Sequence, residues 1–297
     1  MSANEIRELQ KTKNRSGFNR NFTADPNKLS GDKKDLYRLL KNDVLNGEVF
    51  PAVRDGVIDF YYKGGCLYRF GGQSFSRRKE YAKAEYNQNI KATVPYEIAK
   101  EQNENKNTRK KKKGGNEEEK AVATERKLLC ELYKHTYCKE YKSDVVVLDI
   151  EVCLNGKESK GMKCDLVLLH TVKNQLMFVE GKVFADNRVN SQTTPEVIDQ
   201  VNAYTRAIKD QESEIIKEYA NHIDIINKLF DTKYNTVITL IPTAKLLVYK
   251  TPITPREHGQ RSIEDIKKGL CNKEKDVYWV MGEQEPPLDK IWDELCE

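Results

Sequence analysis

Along the chain the spacing of apolar and polar positions changes character several times, and it is clearest between residues 144 and 204. Three runs rich in Val, Leu and Phe, at 144–154, 161–170 and 175–184, are punctuated by Asn155-Gly156 and Lys173-Asn174. Short apolar runs bounded by turn residues predict antiparallel strands. Residues 193–209 then carry apolar positions at helical spacing. Upstream, 35–45 predicts a short helix ended by Asn46-Gly47. Segments 48–54, 57–63 and 66–70, divided by Asp55-Gly56 and Gly64-Gly65, predict a small antiparallel sheet built from hairpins.

The remaining segments fall around these two blocks. Residues 1–30 have almost no apolar periodicity and read as an extended or poorly ordered arm. Residues 82–100 read as helical in part, interrupted near Pro95. Residues 101–120 contain no apolar residue and join a basic run at 109–113 to an acidic one at 117–119, as a flexible loop or linker does. From 121 the helical period returns in Val122, Leu128, Leu129, Leu132 and Tyr133. After 204 come an amphipathic helix at 212–230, strands at 236–241 and 244–249 split by Pro242, a helix at 261–270, a strand at 276–280 and a closing helix at 288–295 with Trp292. The chain is therefore expected to comprise an arm, short helix and small sheet (1–100), a charged linker (101–120) and an α/β domain (121–297).

Asp165, Glu180 and Lys182 break the apolar pattern inside the central strands. Charged side chains are rarely buried unless they are paired or bind metal. Glu180 and Lys182 are two apart and face the same way on a strand, and Asp165 on a paired strand can be brought beside them. Carboxylate oxygens suit Mg²⁺ or Mn²⁺, and a neighbouring Lys can orient or deprotonate an attacking water, which points to phosphodiester hydrolysis. Glu-x-Lys also occurs at Glu104/Lys106, Glu118/Lys120, Glu125/Lys127, Glu140/Lys142 and Glu158/Lys160, in polar or helical segments where a solvated surface pair is the expectation. Glu125 lies on or beside the apolar face of its helix, within reach of such a pocket, or is otherwise a surface glutamate. Glu151, an even number of residues from Asp149, is a competing carboxylate.

Asp165 followed by Glu180-Gly181-Lys182 resembles the signature of the PD-(D/E)XK nuclease superfamily. Gln200 and Tyr204, four apart on one helix face, are similar to the Gln-x-x-x-Tyr motif of its RecB-like branch. Cys164 stands where that signature often has proline. The resemblance covers roughly residues 122–250. It implies an α/β restriction-endonuclease-like core, a central mixed sheet flanked by helices, here with a small N-terminal β-rich appendage. It further implies that Glu125, Asp165, Glu180 and the Gly181 carbonyl hold Mg²⁺ or Mn²⁺. Lys182 would activate water, and Gln200 and Tyr204 would orient the site. The activity implied is a metal-dependent nuclease acting on DNA in preference to RNA, in repair, phage defence or a mobile element. The alternative is a catalytically silent nucleic-acid-binding or assembly protein on the same fold.

Composition bounds these expectations. The 297 residues are enough for a full core, and a mean hydropathy of -0.75 with no long apolar run excludes a membrane span. The first residues lack the apolar segment of a secretory signal, and seven unclustered cysteines predict reduced thiols, so the expected compartment is the cytoplasm. His135, His170, His222 and His258 show no zinc-ligand spacing, and Cys271 and Cys296 are too few for a C-terminal iron-sulfur cluster. Net charge is +5, with 19 Lys/Arg against 12 Asp/Glu in residues 1–100. This half could supply the positive surface a polyanion needs, or it is an ordinary solvated surface. Tyr61, Tyr62, Tyr68, Phe70 and Phe75 alternate with Lys63, Arg69, Arg77, Arg78 and Lys79, either as a base-stacking platform or, more commonly for strand aromatics, as core. A homo-oligomer is compatible with all of this.

Overall fold

The computed structural model describes residues 19–77, 96–109, 117–134, 136–138, 140–154, 163–183, 186, 188–189, 196–250, 277–281 and 286–296. The expected helix at 261–270, the basic run from Lys110 onward and the first 18 residues lie outside these.

Two sheets form the scaffold. The first is antiparallel, in the order β1 (Val49–Arg54), β2 (Val57–Tyr62), β3 (Gly65–Phe70), β4 (Phe75–Ser76). Its β2–β3 turn is Lys63-Gly64, both residues at positive φ (46° and 77°), the two-residue geometry whose twist matches the flanking strands. The second is mixed, in the order β10 (Val277–Met281), β9 (Lys245–Lys250), β7 (Gln175–Val183), β6 (Lys163–His170), β5 (Val145–Cys153), with β8 (Thr239–Leu240) beside β7. β5, β6 and β7 are antiparallel, while β7 to β9 and β9 to β10 are parallel. The parallel step from β7 needs a crossover. It is made by α4 (Glu196–Asp210) and α5 (Glu212–Phe230), numbered after α1 (Gly31–Leu45), α2 (Tyr96–Arg109) and α3 (Glu117–Lys134); α6 (Leu288–Cys296) closes the chain.

Strand alternation assigns the two faces of the mixed sheet. Val146, Leu148, Phe178, Leu246 and Val248 pack with Val201, Tyr204, Ile208, Tyr219 and Ile223 of α4 and α5. Val145, Val147, Leu168, Met177 and Val179 pack on the other face with Leu129, Leu132 and Tyr133 of α3. That second cluster continues without a break into the small sheet through Phe50, Phe60 and Leu67, and Phe50 meets Tyr133 at 5.1 Å between ring centroids. The small sheet is thus no appendage: it lies between α3 and its own helices α1 and α2.

This corrects two expectations. Tyr61, Tyr68 and Phe70 are buried, Arg69 chelates Asp59 (2.6 and 2.7 Å), and Arg77 is buried over the Tyr68 ring, so the aromatics of this sheet are core and not a stacking platform. The expected linker at 101–120 instead contains the end of α2 and the start of α3. α2 has no apolar stripe, mixes strong helix formers with three Asn and a Thr, and is anchored by polar contacts. Tyr96 donates to Asp43 (2.7 Å), Lys100 pairs with Asp43 and Glu48, and buried Asn103 donates to the Tyr62 and Gly65 carbonyls.

A buried ion cluster ties the two sheets together. Asp149, fully buried beside a register irregularity of β5, accepts from Arg20 (Nε 3.0 Å, Nη2 2.7 Å), Arg54 (2.5 Å) and the Tyr219 hydroxyl (3.2 Å). Burial alone would raise its pKa, but Arg20 and Arg54 reverse this and hold the carboxyl below its usual range. Arg54 also donates to the Ile150 carbonyl, and the Arg20 backbone to Glu218 of α5. The described end of the expected disordered arm is therefore built into the interior, where Phe22 meets Phe70. No described helix is long and apolar enough to cross a membrane.

Removing one partner of a buried ion pair leaves an uncompensated charge in the core. Asp149→Ala, which strands two guanidinium groups, is expected to cost on the order of 3–5 kcal/mol of unfolding free energy in urea titrations. A loss below about 1 kcal/mol, the range of an exposed pair, would show that the cluster does not join the sheets.

Candidate active site

β6 and β7 pair as far as Leu166 and Val179 and then part. Beyond that point β6 pairs only with β5 and β7 only with β9. A fork leaves backbone groups without ladder partners, and buried groups of that kind must be satisfied otherwise. Here the Gly181 N–H donates to the Asp165 carboxylate (2.9 Å), a side chain taking the place of the missing strand. The thiol of buried Cys164 donates to the Val179 carbonyl (3.4 Å) at the base of the same fork.

The fork collects the charged residues of the central strands. The Lys182 Nζ lies 2.6 Å from Glu180, 3.3 Å from Asp165 and 3.4 Å from Glu125, and donates to the Gly181 carbonyl at 2.7 Å. Glu180 and Lys182 are almost entirely buried, whereas the Asp165 side chain is 20 % exposed. Glu125 reaches in from α3. It can do so because Gly181 has no side chain: a Cβ there would stand 2.5 Å from Leu129, one helical turn after Glu125. From α4, Gln200 Nε2 donates to Glu180 Oε1 and to the Tyr204 hydroxyl, both at 2.8 Å. All six candidate catalytic residues are thus brought together. Glu151 is not among them: its left-handed backbone (φ 50°) breaks the strand alternation, and its side chain lies at the surface beside Lys163 (3.5 Å). Of the two carboxylates the geometry favours Glu125.

Three carboxylates around one ammonium leave a formal excess of negative charge in a desolvated place. Burial, with Asp165 and Glu125 nearby, pushes Glu180 up to about 8. The 2.6 Å contact with Lys182 acts in the opposite direction and is outweighed. Burial likewise lifts Glu125 to about 7, against Lys182. Burial would lower Lys182, but Glu180, Asp165 and Glu125 together hold it above its usual range, so its proton stays. Near neutral pH the cluster balances its charge by keeping protons.

A divalent cation would supply that balance instead. The donors available for one are hard oxygens, and Glu125 Oε2 and Glu180 Oε2 are buried with no hydrogen-bond partner among the described residues. Among the described residues no three His, Cys, Asp or Glu side chains are grouped so as to hold a metal ion; at the fork the Lys182 ammonium stands between the carboxylates. The cluster opens into a cleft of about 770 Å³, whose walls also include Lys163, Arg188, Glu196, Asp199 and Arg206. The sequence does not single out Arg188 of this cleft or Asp186, which pairs with it. They lie past the end of β7 in a stretch without periodicity, and their one signal is the Asp-x-Arg spacing.

Comparison of the chain with protein-family models, with curated proteins and with solved structures finds no match in any of the three.

Two outcomes follow from the packing and the charge. Gly181→Ala is expected to push Leu129 and α3 outward, lowering Tm by several degrees and weakening Mn²⁺ binding measured by calorimetry; adding Leu129→Ala should recover binding. Glu180 and Glu125 have folded pKa values raised above the ordinary 4.5. Their contribution to stability is complete below about pH 4.5 and is lost as pH rises through about 7 to about 8. The metal-free protein should therefore lose thermal stability over that window, and Mn²⁺ should raise Tm more at the alkaline end than at the acid end. An Mn²⁺ effect independent of pH would contradict the protonated cluster.

Proposed function

We propose that the protein is a Mg²⁺- or Mn²⁺-dependent nuclease that hydrolyses phosphodiester bonds, DNA in preference to RNA, on a PD-(D/E)XK-like core. The observation that carries this reading is the meeting of Glu125, Asp165, Glu180 and Lys182 at one sheet fork, with two buried carboxylate oxygens unspent. Glu125, Asp165, Glu180 and the Gly181 carbonyl would hold the cation. When bound, it would polarise the phosphate and lower the pKa of a coordinated water.

The chain's own residues do the rest. Lys182 keeps its charge, and its Nζ, within the carboxylate cluster, would orient the attacking water and donate to the oxygen on which charge develops. Gln200 fixes one oxygen of Glu180, leaving the other for the cation, and is itself fixed by the Tyr204 hydroxyl. Glu180 and Lys182 are themselves almost fully out of solvent, which strengthens the interactions they make.

The test is incubation of wild type and Lys182→Ala with linear, circular and single-stranded DNA and with RNA, in Mg²⁺, Mn²⁺ or EDTA. Cleavage should require metal and fall by at least about a hundredfold in Lys182→Ala, the scale of losing one preorganised charged donor. Unchanged cleavage by that variant would remove Lys182 from the mechanism. Binding of nucleic acid without cleavage under any condition would favour the catalytically silent binding or assembly protein.

A further inference from the structure

We propose that Arg188, braced by Asp186, is the anion-binding group of this cleft and takes a non-bridging oxygen of a substrate phosphate. The assignment rests on the phosphodiester reading above. Asp186 is 3 % exposed, and among the described residues its carboxylate is hydrogen-bonded to a single residue, two positions along. Its Oδ1 accepts from the Arg188 backbone N–H (2.8 Å) and Nε (3.0 Å), and its Oδ2 from Nε (3.1 Å) and Nη2 (2.5 Å). A carboxylate held against one side of a guanidinium fixes the plane of the group and leaves its Nη1 end unspent.

That end belongs to a side chain which is 39 % exposed and lines the cleft together with Glu125, Glu180 and Lys182. Arg188 is close enough for its charge to act on Glu125 and Glu180. In the metal-free cleft the Lys182 ammonium is already engaged by three carboxylates and a carbonyl, so Arg188 is the better placed of the two to take a phosphate oxygen there. Lys163, also at the cleft, leans towards Glu151 at 3.5 Å. An arginine oriented in advance spends little rotamer entropy when a phosphate arrives, and its fork matches phosphate oxygens in a way an ammonium does not.

The test is equilibrium binding of a fluorescein-labelled DNA oligonucleotide in EDTA at several salt concentrations, alongside titration with inorganic pyrophosphate. Tm is measured first for every variant. Arg188→Met is expected to weaken oligonucleotide binding by about tenfold or more, and to lower the slope of log Kd against log salt by about one. Arg188→Lys should keep the slope and lose part of the affinity, and Asp186→Asn should weaken binding with the slope retained. If Arg188→Met fails to fold, Arg188→Lys carries the test, since a merely structural arginine would change Tm and leave affinity alone. Unchanged affinity and slope in Arg188→Met overturn the assignment while leaving the nuclease reading intact. If wild type binds no oligonucleotide either in EDTA or with Ca²⁺, the nuclease reading falls. Arg188 then stands only if pyrophosphate binds wild type and not Arg188→Met, and falls if it binds neither or both.

Discussion

The parting of β6 and β7 is the constraint from which the site follows. Where two strands separate, their facing backbone groups lose partners inside a protein that cannot leave them unpaired. The Asp165 carboxylate answers this at the Gly181 N–H, and so a residue proposed for chemistry is first needed by the sheet. The opening also lets Glu180 and Lys182 face side chains from other elements instead of a neighbouring strand. The absence of a Cβ at Gly181 lets α3 close over the gap with Glu125 at its edge.

Charge is balanced differently at the two buried clusters. Asp149 meets two guanidinium groups and a phenol, has more donors than it needs, and stays ionised. The fork has the reverse ratio, three carboxylates to one ammonium, and so holds protons that a stronger cation could replace. The first arrangement suits a permanent joint. The second is relieved only while its raised carboxyls keep their protons.

Much of the fork could be read from the sequence, because charge inside an apolar strand is conspicuous. Asp165, Glu180 and Lys182 stand out on that ground, whereas Gln200 and Tyr204 stand out only through the resemblance to the Gln-x-x-x-Tyr motif, their four-residue spacing adding that they share a helix face. Glu125 was placed correctly beside an apolar helix face, but parity could not separate it from Glu151, since a left-handed residue in a strand upsets the count. The placement of the small sheet was not legible. A sheet covered on both faces has the same aromatic and basic residues as one that binds bases. Only contacts made far along the chain decide between them, such as Phe50 on Tyr133. Nor could composition reveal that Arg20 enters the core or that the polar α2 is held by Asn103, since polar anchors leave no periodic trace.

The Asp149 joint also bears on how the chain comes to be folded. Arg54 and Asp149 are 95 residues apart and Arg20 and Asp149 are 129 apart, so both cations are synthesised well before the carboxylate they enclose. The hairpins of the small sheet are local and can form early, yet their inner face has nothing to cover it until β5 and α3 have emerged. Long-range closure of this kind slows folding and leaves apolar surface waiting. During synthesis, therefore, the joint between the two sheets cannot close until the strand carrying Asp149 has been made.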